Sequence, residues 1–82
     1  LEEVNLEVLL RNMKVNQKGK VTKINCEGEV CRRIRDIGIS VGAEIFVTGR
    51  APLYDPVALK VNDTVVTLRN SEADNIYVEV KG

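Results

Sequence analysis

Apolar positions along this chain change rhythm repeatedly, and each change marks an element. Leu6, Leu9, Leu10 and Met13 lie three or four apart, which predicts a short helix over residues 6–12 with Asn5 as its N-cap. Val15 to Gly19 reads as a turn, and a strand Lys20–Cys26 follows. Val21 and Ile24 in that strand are three apart, a spacing that a bulge or bend reconciles with one buried face. Val30, Ile34 and Ile37 fall at i, i+4 and i+7, so Gly28 to Ile37 is predicted as a helix. Cys31 sits at the edge of its apolar stripe, while Arg32, Arg35 and Asp36 point away from it. Gly38 stands where a left-handed C-terminal cap is needed, and Ile39 can fold back onto the last turn.

Strict alternation takes over in the second half. Ser40-Val41-Gly42-Ala43 suits a type II turn with Gly42 at positive φ, and a β-branched and aromatic strand Glu44–Arg50 follows it. Strands Val57–Asn62 and Thr64–Arg69 meet at Asn62-Asp63, a tight hairpin turn. Ser71 to Asp74 reads as one helical turn with Ser71 as N-cap, and Ile76–Val80 closes the chain with Ile76, Val78 and Val80 on one face. The sum is a mainly β chain: five short strands, one α-helix between the first two, and short capping helical turns. Strands this short leave few safe open edges, so a small, partly closed barrel spanning residues 1–82 as one domain is the expected architecture. Residues 1–4 are expected to be loose, and no repeat or linker interrupts the chain.

Composition narrows the chemistry. Twelve basic and twelve acidic side chains cancel, removing the cationic field on which most nucleic-acid binders rely, so no nucleic-acid partner is expected. Three aromatic residues, Phe46, Tyr54 and Tyr77, are too few for a row of base-stacking platforms. The absence of histidine excludes histidine-based catalysis, and no nucleophile–base pair or phosphate-cradling glycine loop is visible, so the chain does not read as an enzyme. No apolar run approaches the roughly 20 residues of a membrane span. Cys26 and Cys31 have C-x4-C spacing, unlike common zinc and redox motifs. They are expected as reduced, small buried apolar residues of a cytosolic domain, with a metal or redox role and a disulfide as the competing readings. Glu27 and Glu29 beside them add carboxylates that a metal site would need, but scattered acids are expected on a chain that is 29% charged. Neither a metal nor a cofactor is assigned.

Arg50-Ala51-Pro52-Leu53-Tyr54-Asp55-Pro56 is the distinctive segment. Proline fixes its own φ and biases the residue before it toward extended geometry, so Ala51 and Asp55 are expected extended and the loop should hold one preferred shape. A stiff, partly apolar loop on a strand-rich domain suits docking better than catalysis.

Five segments, in register, resemble the FeoA family. They are Gln17-Lys18-Gly19-Lys20-Val21, Arg32 through Ile39, Gly42-Ala43-Glu44-Ile45, Ala51 through Val57, and Leu68-Arg69 followed by Glu72-Ala73-Asp74-Asn75-Ile76. The resemblance runs from about Leu9 to Val80. It implies an SH3-like barrel, here five-stranded, of a small cytosolic accessory or regulatory protein in ferrous iron uptake. The implied partner is FeoB, a membrane transporter with a cytosolic GTP-binding domain, through which alone the chain would meet the membrane. The same fold resembles the C-terminal domain of DtxR-type repressors, which leaves a metal-responsive domain as the alternative, beside a nucleic-acid-binding small barrel. Val15-Asn16 stands where the family often has Pro-Gly, Val41 replaces a frequent proline, Tyr54 replaces a small residue, and residues 1–8 extend beyond the usual start.

Two surfaces are candidates for the partner. On the proline loop, Leu53 would be an apolar contact, Tyr54 an amphipathic anchor, Asp55 a charged selector and Arg50 a neighbouring hot spot. On the helix, Arg32 and Arg35, flanked by Arg33, would meet acidic or phosphate groups. Against these stand a loop that merely connects two strands, with Leu53 turned inward, and a solvated helix face partly neutralised by Glu29 and Asp36. Self-association stays open, through a strand edge or residues 1–10.

Overall fold

Six strands, one more than the hydrophobic pattern predicts, build the structure, a computed structural model that describes residues 5–52 and 55–81. In chain order they are β1 (Asn5–Leu9), β2 (Lys18–Ile24), β3 (Glu44–Arg50), β4 (Val57–Val61), β5 (Thr64–Leu68) and β6 (Ile76–Lys81). A 3₁₀ turn, Leu10–Asn12, follows β1; α1 (Gly28–Asp36) lies between β2 and β3; α2 (Asn70–Ala73) lies between β5 and β6. All pairings are antiparallel, in the order β1-β6-β2-β3-β4-β5.

The additional strand comes from residues whose spacing predicts a helix. Leu6 lies opposite Val80 and Val8 opposite Val78; Val8 packs against the core, while Leu6, nearer the start of the strand, stays exposed. Pairing supplies main-chain hydrogen bonds and covers the edge of β6, which outweighs a weak local helical preference. Only Leu10 and Met13 keep helical spacing, as the two buried residues of a single turn closed by Met13 N–H donating to Leu10 O at 3.1 Å. Residues 5–8, part of the expected N-terminal extension, thus belong to the sheet, while residues 1–4, expected to be loose, lie outside the described residues.

Elsewhere the pattern and the fold agree closely. The register of β2 against β6 slips between Val21 and Lys23, the bulge that reconciles the three-residue spacing of Val21 and Ile24. Both Asn62 and Asp63 adopt positive φ (50° and 66°), as a two-residue type I′ hairpin requires. At the end of α1, Gly38 has φ 95°, its N–H donates to Arg35 O at 3.0 Å, and Ile39 N–H donates to Ile34 O at 3.1 Å. Those two bonds are a Schellman motif, and they bring buried Ile39 under buried Ile34. Asn16 accepts φ 70° where the family resemblance led one to expect glycine.

One core serves the whole sheet. Val21, Ile45, Val47, Val57, Leu59, Val61, Leu68, Ile76, Val78 and Val80 face inward and form a single cluster. Residues from β5, near one end of the strand order, and from β6, near the other, meet in that cluster, so the sheet curls into a barrel left open between β1 and β5. Leu10 and Met13 together with Ile34, Ile39 and Ala73 fill its openings. Gly19 is closely packed against it: a Cβ there would lie 2.8 Å from Val78 Cγ1 and 3.0 Å from Val80 Cγ1. No described helix is long and apolar enough to cross a membrane.

Candidate docking site

The proline loop leaves the sheet where Arg50 pairs with Val57, and Ala51 N–H donating to Pro56 O at 3.1 Å closes its base. Asp55, expected as an outward selector, turns Oδ1 toward α2 and accepts Asn70 N–H at 2.9 Å. Its peptide bond to Pro56 is cis. Arg50 is likewise engaged: its guanidinium donates to the main-chain carbonyls of Arg11 and, at 2.8 Å, Met13. Strand β3 is thereby tied to the 3₁₀ turn. Leu53 and Tyr54, the expected contact and anchor, lie outside the described residues.

Four-residue α2 organises this end of the barrel. Its N-cap is Arg69, two residues earlier than Ser71, because Glu72 at the third helical position reaches back to accept Arg69 N–H at 3.0 Å. The other carboxylate oxygen of Glu72 pairs with Arg33 Nε of α1. Arg33 also approaches Thr67 O of β5 at 3.4 Å. From the 3₁₀ turn, Arg11 reaches Asp74, just past α2, at 3.3 Å. One helical turn therefore gathers the loop through Asn70, α1 through Glu72 and the 3₁₀ turn through Asp74. A shallow hollow lined by Arg11, Met13, Lys14, Arg50 and Asn70 adjoins it.

The expected helix arginines face solvent. Arg32 pairs weakly with Glu29 at 3.7 Å, and the Arg35 side chain has no charge partner among the described residues. The sequence pattern points to Arg32 and Arg35, with Arg33 only flanking them, and assigns no docking role to Arg11 or Glu72, yet Arg33, Arg11 and Glu72 are the residues that connect the elements. Arg69-x-x-Glu72 was the available signal for Glu72, since a side chain at that spacing can cap its own helix. Nothing local announced its partner Arg33, which lies 39 positions earlier.

Cys26 and Cys31 correct the reading of two reduced thiols: they form a disulfide, with Cα atoms 5.3 Å apart. Cys26 stands just before the N-cap of α1 and Cys31 one turn inside it, and the winding of that turn brings their Cα atoms within the 4.4–6.8 Å range of disulfides. Both are only partly buried. Among the described residues no three His, Cys, Asp or Glu side chains converge as metal ligands.

Comparison with known proteins places this geometry. Among curated proteins none matches the sequence significantly. A solved structure of an FeoA-like protein from Clostridium acetobutylicum is 42% identical with a TM-score of 0.84, the match covering 90% of this chain and 86% of that one. FeoA of Stenotrophomonas maltophilia, crystallised with zinc and described as a procaryotic SH3 domain protein, is 25% identical with a TM-score of 0.73, over 84% of this chain and 86% of that one. A manganese-dependent transcriptional repressor shares the fold at 21% identity and a TM-score of 0.83, over 96% of this chain but 44% of its own. The FeoA domain model matches residues 8–80, from β1 through β6, and the chain belongs to the FeoA family.

Proposed function

We propose that this protein is a non-catalytic accessory of ferrous iron uptake that works in the cytoplasm by docking on the cytosolic region of a FeoB-type GTP-binding transporter. The observation that carries the reading is the end of the barrel organised by α2. There a loop, a helix and a turn are cross-tied by Asp55–Asn70, Glu72–Arg33 and Arg11–Asp74, while Arg32 and Arg35 remain turned to solvent. A surface ordered before it meets a partner loses less conformational entropy on binding. Arginine adds directional, charge-assisted hydrogen bonds to acidic or phosphate groups. Family membership supplies the iron-transport context.

Calorimetric titration against the cytosolic region of the companion transporter tests the proposal. Saturable binding is expected, and Arg32→Ala with Arg35→Ala should weaken it by about 2 kcal/mol, roughly thirtyfold in Kd. Asp55→Asn should bind as the parent does, because the amide oxygen can still accept the Asn70 N–H. Absence of binding at about 100 μM would remove the docking function. GTP hydrolysis followed in the same mixture reports whether docking also activates the partner.

A further inference from the structure

We propose that Cys26 and Cys31 are a reversible thiol–disulfide site, oxidised by a low-molecular-weight disulfide of the glutathione type, which clasps the first turn of α1. Three observations support it. First, α1 lacks the usual restraint at its start: Glu27 is the N-cap and offers no side-chain hydrogen bond to the first-turn N–H groups. Gly28 follows at φ 61° with open space where a Cβ would stand, and the helix start rests on the core through the half-buried Cys26 and Val30, less firmly than through the buried Ile34 further along. The Cys26–Cys31 bond supplies the missing restraint.

Second, the C-terminal half of α1 is fixed independently. Ile34 and Ile39 are buried, the Schellman bonds close the last turn, and Arg33 is held by Glu72. The disulfide bridges a sequence separation of only 5, within one local segment, and joins no distant parts of the sheet. It is therefore a clasp on one helix start, not a staple of the barrel. Third, both cysteines are partly exposed and neither belongs to the fully buried core, so a small thiol or disulfide can reach them.

The chemistry balances as two exchanges. One cysteine thiolate attacks the small disulfide RSSR, forming a mixed disulfide and releasing RS⁻. The second cysteine thiolate attacks the protein sulfur of that mixed disulfide, closing the Cys26–Cys31 bond and releasing another RS⁻. Both thiol protons end on the released RSH. The net reaction is protein dithiol plus RSSR giving protein disulfide plus two RSH, with two electrons passing to the small disulfide. Arg32 rides on the clasped turn, so the oxidation state sets how firmly that arginine is presented; this consequence, unlike the site itself, rests on the docking function proposed above.

The test needs no partner, so its failure is distinct from a failure of docking. The 82-residue chain is equilibrated anaerobically in glutathione buffers from fully reduced to fully oxidised, alkylated and weighed. Hydrogen exchange is measured at both extremes. A reversible transition between a doubly alkylated and an unalkylated species is expected. Reduction should raise exchange of the Arg32 amide, which bonds back into the first turn, at least tenfold while leaving Ile39 unchanged. Cys26→Ser with Cys31→Ser should show the reduced-state rates in every buffer. A pair that stays oxidised in excess reduced glutathione, or stays reduced in excess oxidised glutathione, overturns the proposal. So does an Arg32 exchange rate that is equal in the two states, or a double-serine variant that exchanges like the oxidised protein.

Discussion

Replacing Glu72 by alanine should reveal how much of the barrel end depends on one carboxylate. Glu72 is 8% exposed, and its two oxygens serve different elements, one accepting Arg69 N–H at 3.0 Å and the other pairing with Arg33. Loss of the N-terminal bond of α2 costs about 1 kcal/mol, typical of a removed helix cap. The ion pair adds less than the roughly 3–5 kcal/mol of breaking a fully buried pair. The Arg33 side chain is 53% exposed and can turn to water, so about 1 kcal/mol is the appropriate figure. The expected total is about 2 kcal/mol, or roughly 10 °C in Tm for a chain of this size. Glu72→Gln keeps one carbonyl oxygen, hence one of the two bonds, and should lose about half as much. Urea denaturation at constant m reads these differences, and the Arg33→Ala, Glu72→Ala double-mutant cycle isolates the pair at about 1 kcal/mol of coupling. A Glu72→Ala variant within about 0.5 kcal/mol of the parent, the range of ordinary surface substitutions, would refute this account.

Two glycines of the sheet should respond oppositely to the same change. Gly19→Ala drives a methyl against Val78 and Val80 and should destabilise by about 1–3 kcal/mol, whereas Gly49→Ala meets nothing within 4 Å and should stay within about 0.5 kcal/mol, both measured by urea denaturation. Arg50→Ala releases two main-chain carbonyls of the 3₁₀ segment and should cost about 2 kcal/mol by the same assay, with Arg50→Lys recovering less than half because an ammonium cannot span both acceptors in one fork.

What could be read from the sequence was local. Val30, Ile34 and Ile37 with Gly38 defined α1 and its end, because helix periodicity and a left-handed cap both act within a few residues. Val57, Leu59 and Val61 against Ala58 and Lys60 defined β4, and Asn62-Asp63 its hairpin, for the same reason. Asn5–Leu9 was illegible as a strand because its pairing partner lies some seventy residues away, and a short run of leucines satisfies helical spacing by chance. The disulfide was illegible for a different reason. C-x4-C spacing becomes a bonding distance only when a helix winds between the two cysteines, so chemistry and local structure had to be read together.

The same distinction explains the altered meaning of the proline loop. As sequence it offers charged groups to solvent, but Arg50 spends its hydrogen bonds on Arg11 and Met13, and Asp55 accepts from Asn70. Both are positioning residues in this structure. They connect the loop to the 3₁₀ turn and to α2, which in turn holds Arg33 of α1. A force applied at the loop therefore has a bonded route to the arginine helix: Asp55 to Asn70, along α2 to Glu72, then Arg33 beside Arg32. Each link is a single polar contact at a partly exposed site, individually weak, and none crosses the apolar core. Ile34 anchors α1 in the same core as Leu59, Val47 and Val78, so these polar ties hold the loop and the arginine helix in one arrangement on a fixed base, which suits a surface whose proposed task is to meet another protein.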